Sequence, residues 1–229
     1  MTQVNGKSII IIGATGLVGS QVLERLLKDP SVEKICAPTR RPMTIENPKL
    51  SNPSFSFDEF ELNAELLSDA EDLYFCYGTT LKNAGSKTAF VRVELDQSEK
   101  IINVCLRKGV KRLFMVSSAG ANPTSMIFYG KIKGQLEEFA KELVKQGKLA
   151  ELVILRPSLL LGHREESRPG EALLKAVLKP LLFAFVGPLR SSKPVWAWQV
   201  ASTLVKSAKV SAGKDIRTIQ NEVICEETA

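Results

Sequence analysis

The sequence predicts an α/β fold, a doubly wound parallel sheet flanked by helices, with a small C-terminal cap in the same domain. Two observations carry this. Apolar runs of strand length alternate with stretches of helical periodicity from residue 7 to residue 157, and such alternation implies parallel strands joined by right-handed crossovers. The opening run "KSIIIIG" is continuously apolar and β-branched, as in a strand buried on both faces. At 229 residues the chain can bury a full core. Residues 1–229 are read as one domain, with 158–229 partly a cap on the substrate side.

In order, the first strand is followed by "LVGSQVLERLLKD", apolar at helical spacing and stopped by Pro30. "VEKICAP" is a second strand, "PSFSFDEF" contains a short third, and "EDLYFCYG" is a fourth. A long helix fills roughly 87–108, with Val91, Leu95, Ile101, Ile102 and Leu106 on its buried side. "KRLFMVSSAG" is the fifth strand, "IFYGKIKGQLEEFAKELVKQG" the next helix, and "ELVILRP" the sixth strand. The last third is less regular: an apolar helix at 173–187, a helix near "WAWQVASTLVKSAK" and a final strand in "RTIQNEVI". Trp196 and Trp198 are read as packing residues of the cap.

Composition excludes several classes of function. With 44% apolar and 24% charged residues the chain reads as globular rather than disordered. The stretch 173–187 is interrupted by Lys175, Lys179 and Pro180, so no transmembrane segment is expected. The polar "MTQVNGKS" lacks a secretory signal, and the expected location is cytoplasmic. Cys36, Cys76, Cys105 and Cys225 have no paired spacing and read as reduced thiols. His163 is the single histidine, and neither a metal site nor a Ser-His-Asp triad is built around it. The net charge of +6 is spread along the chain. No nucleic-acid motif accompanies it, so nucleic acid is not an expected partner, and the field suits an anionic ligand.

Between the first strand and helix lies "GATGLVG", comprising Gly13, Ala14, Thr15, Gly16, Leu17, Val18 and Gly19. Gly13 makes the sharp turn, Gly16 lets backbone approach a pyrophosphate, and Gly19 lets the helix pack closely on the sheet. The helix N-terminus presents free N–H groups and a positive dipole end to phosphates. A glycine loop after a buried strand and before an amphipathic helix marks a dinucleotide site of Rossmann type.

The end of the second strand selects the dinucleotide, because an NAD site places a carboxylate there for the ribose hydroxyls. Here the place holds Arg40 and Arg41, whose guanidinium forks suit a 2′-phosphate. The expected cofactor is NADP (NADPH). Asp58 is a candidate for the adenine amino group. Gly78, Thr79 and Thr80 follow the fourth strand and are expected to line the cofactor, since ligands in such folds lie at the carboxyl ends of strands. Pro157 is either a strand terminator or the edge of the nicotinamide pocket.

In "FYGKIKG" a tyrosine and a lysine, Tyr129 and Lys133, stand one helical turn apart. An ammonium beside a phenol favours the phenolate and eases proton transfer to a carbonyl oxygen. With the glycine loop, "SSAG" after the fifth strand and this pair, the chain resembles the short-chain dehydrogenase/reductase superfamily. Through "YGTT", "VSSAGAN", "FYGKIKG" and "REESRPGE" it is similar to the atypical branch represented by the Tat-interacting-protein oxidoreductases, over roughly residues 7–205. The resemblance implies that Tyr129 is the proton donor, that Lys133 also holds the nicotinamide ribose, and that a serine, Ser118 or Ser117, orients the substrate carbonyl. It implies an oxidoreductase acting on a small carbonyl or alcohol, as monomer or homodimer. The other reading is a redox-sensing regulator that binds NADP(H) and a protein partner. A sugar-nucleotide epimerase or dehydratase ranks third, since such enzymes need a larger C-terminal region.

Overall fold

The computed structural model describes residues 6–162, 193–210 and 215–227. Its centre is β1 (Lys7–Ile12), in which Ile9, Ile10, Ile11 and Ile12 are all buried. Side chains alternate across a strand, so this run feeds two cores at once. Ile10 and Ile12 join one apolar cluster and Ile9 and Ile11 the other. Each buried isoleucine contributes about 2 kcal/mol, which suits a strand covered on both faces.

Around β1 the sheet carries β2 (Val32–Cys36), β3 (Leu50–Ser51), β4 (Asp72–Phe75), β5 (Arg112–Val116) and β6 (Glu151–Arg156). Two short strands, β7 (Leu160–Leu161) and β8 (Val195–Trp196), pair with each other, and β9 (Asp215–Gln220) returns to the main sheet. The order of the seven strands is β3-β2-β1-β4-β5-β6-β9 and every pairing is parallel. Helices flank both faces, so the fold is Rossmann-like as expected.

On one face lie α1 (Leu17–Lys28) and α6 (Ala197–Ser207); the other is covered by α4 (Ser98–Arg107) and α5 (Phe128–Lys145). The segment before α4 is not one regular helix. It comprises α2 (Leu81–Ala84), α3 (Lys87–Val91) and a π-helical stretch, Arg92–Gln97. Its most buried face is Phe90, Glu94 and Ser98, whereas Val91, Leu95 and Leu106 are half-buried. A wider turn shifts the phase that uniform helical spacing assigns.

Two strand assignments are corrected. The third strand is Leu50–Ser51, not part of "PSFSFDEF". That stretch makes a single bridge, Thr39 with Ser54, and then a 3₁₀ turn at Phe57–Glu59. Its alternating phenylalanines do face the core, but as an edge-to-face cluster of Phe55, Phe57 and Phe60. The final strand stops at Gln220, and Asn221–Cys225 forms a short helix, α7. Asn221 is 1% exposed and ties three segments together, accepting from the Ser158 N–H and donating to the Lys193 carbonyl. His163, "REESRPGE" and the apolar helix expected at 173–187 lie outside the described residues. Trp196 is partly exposed in β8, and Trp198 is half-buried on α6.

Candidate active site

The carboxyl ends of β1, β4, β5 and β6 meet along one edge of the sheet, and the predicted site residues follow them. Gly13 has φ +84 and its α-carbon faces the Cys76–Tyr77 peptide, where a side chain would come within 2.6 Å of the Cys76 carbonyl oxygen. A β-carbon on Gly19 would lie 2.0 Å from the Gly13 carbonyl oxygen. Both glycines are therefore required by close backbone approach. The Gly16 N–H donates to that same oxygen, and Gly16 caps α1 without a side-chain hydrogen bond or an acid in the first turn. No capping side chain or acid occupies the positive end of α1, an arrangement of the kind that fits a pyrophosphate. Ala14 and Val18 are buried, Leu17 is half-buried, and Thr15 is exposed.

After β2, Arg40 and Arg41 are exposed, and neither forms an ion pair among the described residues. The turn that presents them is built by Asn52, which donates to the Ala37 carbonyl at 2.6 Å and to Thr39 Oγ1 at 2.8 Å. Thr39 Oγ1 in turn donates to the Arg41 carbonyl. Asp58 lies in the 3₁₀ turn, 2.5 Å from Arg92 and bonded to Gln97, which lower its pKa. Gln97 also accepts from the Tyr77 hydroxyl at 2.7 Å.

The loop after β4 holds Gly78, Thr79 and Thr80, the last capping α2. Sequence reading missed what lies under it. Glu94, 1% exposed, accepts the Thr79 N–H through Oε1 and meets the Lys133 ammonium through Oε2 at 2.6 Å. Lys133 is 6% exposed. Burial works against its charge, but Glu94 and then Tyr129 outweigh that and raise its pKa. The available signal was phase: Glu94 stands four residues from Phe90 and four from Ser98, on the buried face.

Tyr129 is half-buried in the first turn of α5, its ring 5.4 Å from that of Phe90. The two serines after β5 differ. Ser117 is buried and donates to Glu137 at 2.6 Å, and Glu137 is itself gripped by Arg156. Ser118 is half-buried, and among the described residues its hydroxyl makes one weak bond, to the Ala119 carbonyl at 3.2 Å. Pro157 is buried and accepts the Ala119 N–H at 2.8 Å, joining the ends of β5 and β6.

Residues 13–172 match the family model described as NAD(P)H-binding. The chain belongs to this family. Protein fmp52-1 of Aspergillus terreus, named mitochondrial, is 33% identical over 222 residues, which cover 94% of this chain and 90% of that protein. Protein HTATIP2 of Rattus norvegicus is 34% identical over 176 residues, covering 76% of this chain and 71% of that one. Among solved structures, a UDP-N-acetylglucosamine 4-epimerase from Methanobrevibacter ruminantium superposes with TM-score 0.69 at 17% identity, covering 94% of this chain and 76% of that one. MoeE5 with UDP-glucuronic acid and NAD gives 0.70 at 18% identity, covering 93% and 76%. At such identity these neighbours speak for the fold.

The family member described here is thus an atypical short-chain dehydrogenase/reductase of the NAD(P)-binding, oxidoreductase-like kind, resembling the HTATIP2-like proteins. The expectation of a cytoplasmic location is overturned by the fmp52 relatives, which are named mitochondrial. That expectation rested on a missing secretory signal, which has no bearing on mitochondrial import. Among the described residues no helix is long and apolar enough to cross a membrane.

Proposed function

We propose that this protein is an NADP(H)-dependent oxidoreductase acting on a small carbonyl or alcohol. The observation that carries the reading is the pairing of a half-buried tyrosine with a buried lysine one turn along α5, at the sheet edge that also carries the glycine loop. Gly13–Gly19 and the start of α1 would hold the cofactor's pyrophosphate, Lys133 and Tyr129 would hold its nicotinamide ribose, and Gly78–Thr80 and Pro157 would line its wall. Arg40 and Arg41, exposed and without a carboxylate partner among the described residues, would take the 2′-phosphate of NADP. Asp58 would serve the adenine amino group. When bound, the nicotinamide supplies or accepts the hydride.

Tyr129 gives its phenolic proton to the carbonyl oxygen on reduction and recovers it on oxidation. Lys133 stands one helical turn along α5 from that phenol. Ser118 orients the carbonyl, because its hydroxyl is weakly engaged, whereas Ser117 is committed to Glu137. Residues 158–229 would in part supply the substrate side within the same domain.

The test is a paired titration with NADPH and NADH. Clear preference for NADPH, reduced at least tenfold by Arg40→Asp, supports the cofactor assignment. Tyr129→Phe leaves NADPH affinity nearly unchanged and removes turnover; equal turnover by that variant would sink the chemistry. Partner binding that follows cofactor occupancy, without turnover of any carbonyl, would favour the regulator instead.

A further inference from the structure

A buried carboxylate, Glu94, lies under the Gly78–Thr79 loop. Glu94 Oε2 has no partner among the described residues besides the Lys133 ammonium, 2.6 Å away. Its other oxygen is held by the Thr79 N–H. The loop closes directly on the pair: a side chain on Gly78 would lie 2.8 Å from Glu94 Oε1 and 3.3 Å from Lys133 Nζ. The π-helical stretch brings Glu94 to this point, and Ser98 reaches back to the Val93 carbonyl within it at 3.0 Å.

We propose that Glu94 is a positioning residue, a buried counter-ion that keeps Lys133 charged and fastens it to the loop expected to line the cofactor. The proposal rests on the assignment of Lys133 to the site. A lysine this deeply buried sheds its proton unless an opposite charge offsets the loss of water. The ionisable groups acting on it are Glu94 from the π-helical stretch and Tyr129 and Glu137 from its own helix. Glu137 is committed to Ser117 and Arg156, and Tyr129 carries a charge only as phenolate. Glu94 is therefore the counter-ion that operates before any proton has moved.

The experiment follows the ε-carbon resonance of Lys133 against pH in isotope-labelled protein without nucleotide. The resonance is assigned by its disappearance in Lys133→Met. Glu94→Gln keeps an oxygen for the Thr79 N–H and removes the charge. The Lys133 titration is expected to move down by about one pH unit or more in this variant. Glu94→Asp, which keeps the charge but withdraws it, moves it down by less.

An unchanged titration in Glu94→Gln, or an equal fall in both variants, overturns the proposal. Should Glu94→Gln not fold, an unmoved titration in Glu94→Asp overturns it alone. Because no nucleotide is present, failure of the wild type to bind NADPH would count against the proposed function and not against this pair.

Discussion

At the scale of single residues, the glycine loop is governed by contact distances rather than by flexibility. Gly19 has no room for one more carbon, since its β position falls on the Gly13 carbonyl oxygen. Gly19→Ala must push α1 away from the loop. It is expected to weaken NADPH binding at least tenfold and to cost about 1–3 kcal/mol of stability, read by nucleotide titration and thermal melting. A variant that binds NADPH like the wild type would mean that α1 does not hold the pyrophosphate. These glycines were legible in the sequence because their reason is local: a strand, a turn and a helix start within a dozen residues. Glu94 was not. A carboxylate in a charged helix reads as solvent-facing, and that reading masks the four-residue spacing that sets Glu94 on the buried face with Phe90 and Ser98.

At the scale of elements, the same contrast separates α1 from the third strand. The apolar period of α1 was read correctly because 3.6-residue spacing over twelve residues has few alternatives. "PSFSFDEF" alternates like a strand, yet its phenylalanines pack on one another around a 3₁₀ turn. Period alone does not separate those outcomes. The joint between α1 and α6 was also beyond sequence reading, since it depends on residues 180 positions apart. Asp29 ends α1 and accepts from Ser31, and its other oxygen lies 2.8 Å from Lys209, just beyond α6. Burial alone would raise its pKa, but Lys209 and Ser31 outweigh that and hold the carboxyl at about 2. A depressed pKa stabilises the fold above the ordinary carboxylate range, and that stability is lost as pH falls towards about 2. Lys209 is largely exposed, so after solvent screening Asp29→Asn should cost about 1 kcal/mol at neutral pH. The deficit should vanish in strong acid, as urea unfolding at the two pH values would show.

At the scale of the whole molecule, the two edges of the sheet have different tasks. The carboxyl edge gathers the candidate site. The amino edge holds a row of buried charges, with Asp72, Arg112 and Glu151 opening β4, β5 and β6 in register. Arg112 pairs with both carboxylates and donates to the Ala208 carbonyl, and Arg217 on β9 pairs with Glu151. Burial raises the pKa of Asp72, with Arg112 opposing. Arg112→Met strands Asp72 and should cost about 3–5 kcal/mol. The loss should shrink as pH falls, because the stranded acid then takes up a proton. NADPH affinity per folded molecule should not change, being set at the far edge; a large change would show that the two edges are coupled.

The strand order also has a bearing on how the chain is made. Each strand of the seven-stranded sheet after β1 is added next to one already present, with β2 and β3 on one side and β4, β5, β6 and β9 on the other. During synthesis the sheet therefore grows outward from its first strand, and the nascent chain always has its next docking edge in place. The last of these strands, β9, reaches β6 only after the intervening stretch has left the ribosome. Until then Glu151 lacks Arg217 and β6 is an open edge. The interval between β6 and β9 is thus when the young protein is most exposed to wrong pairing, and when a chaperone would have most to protect.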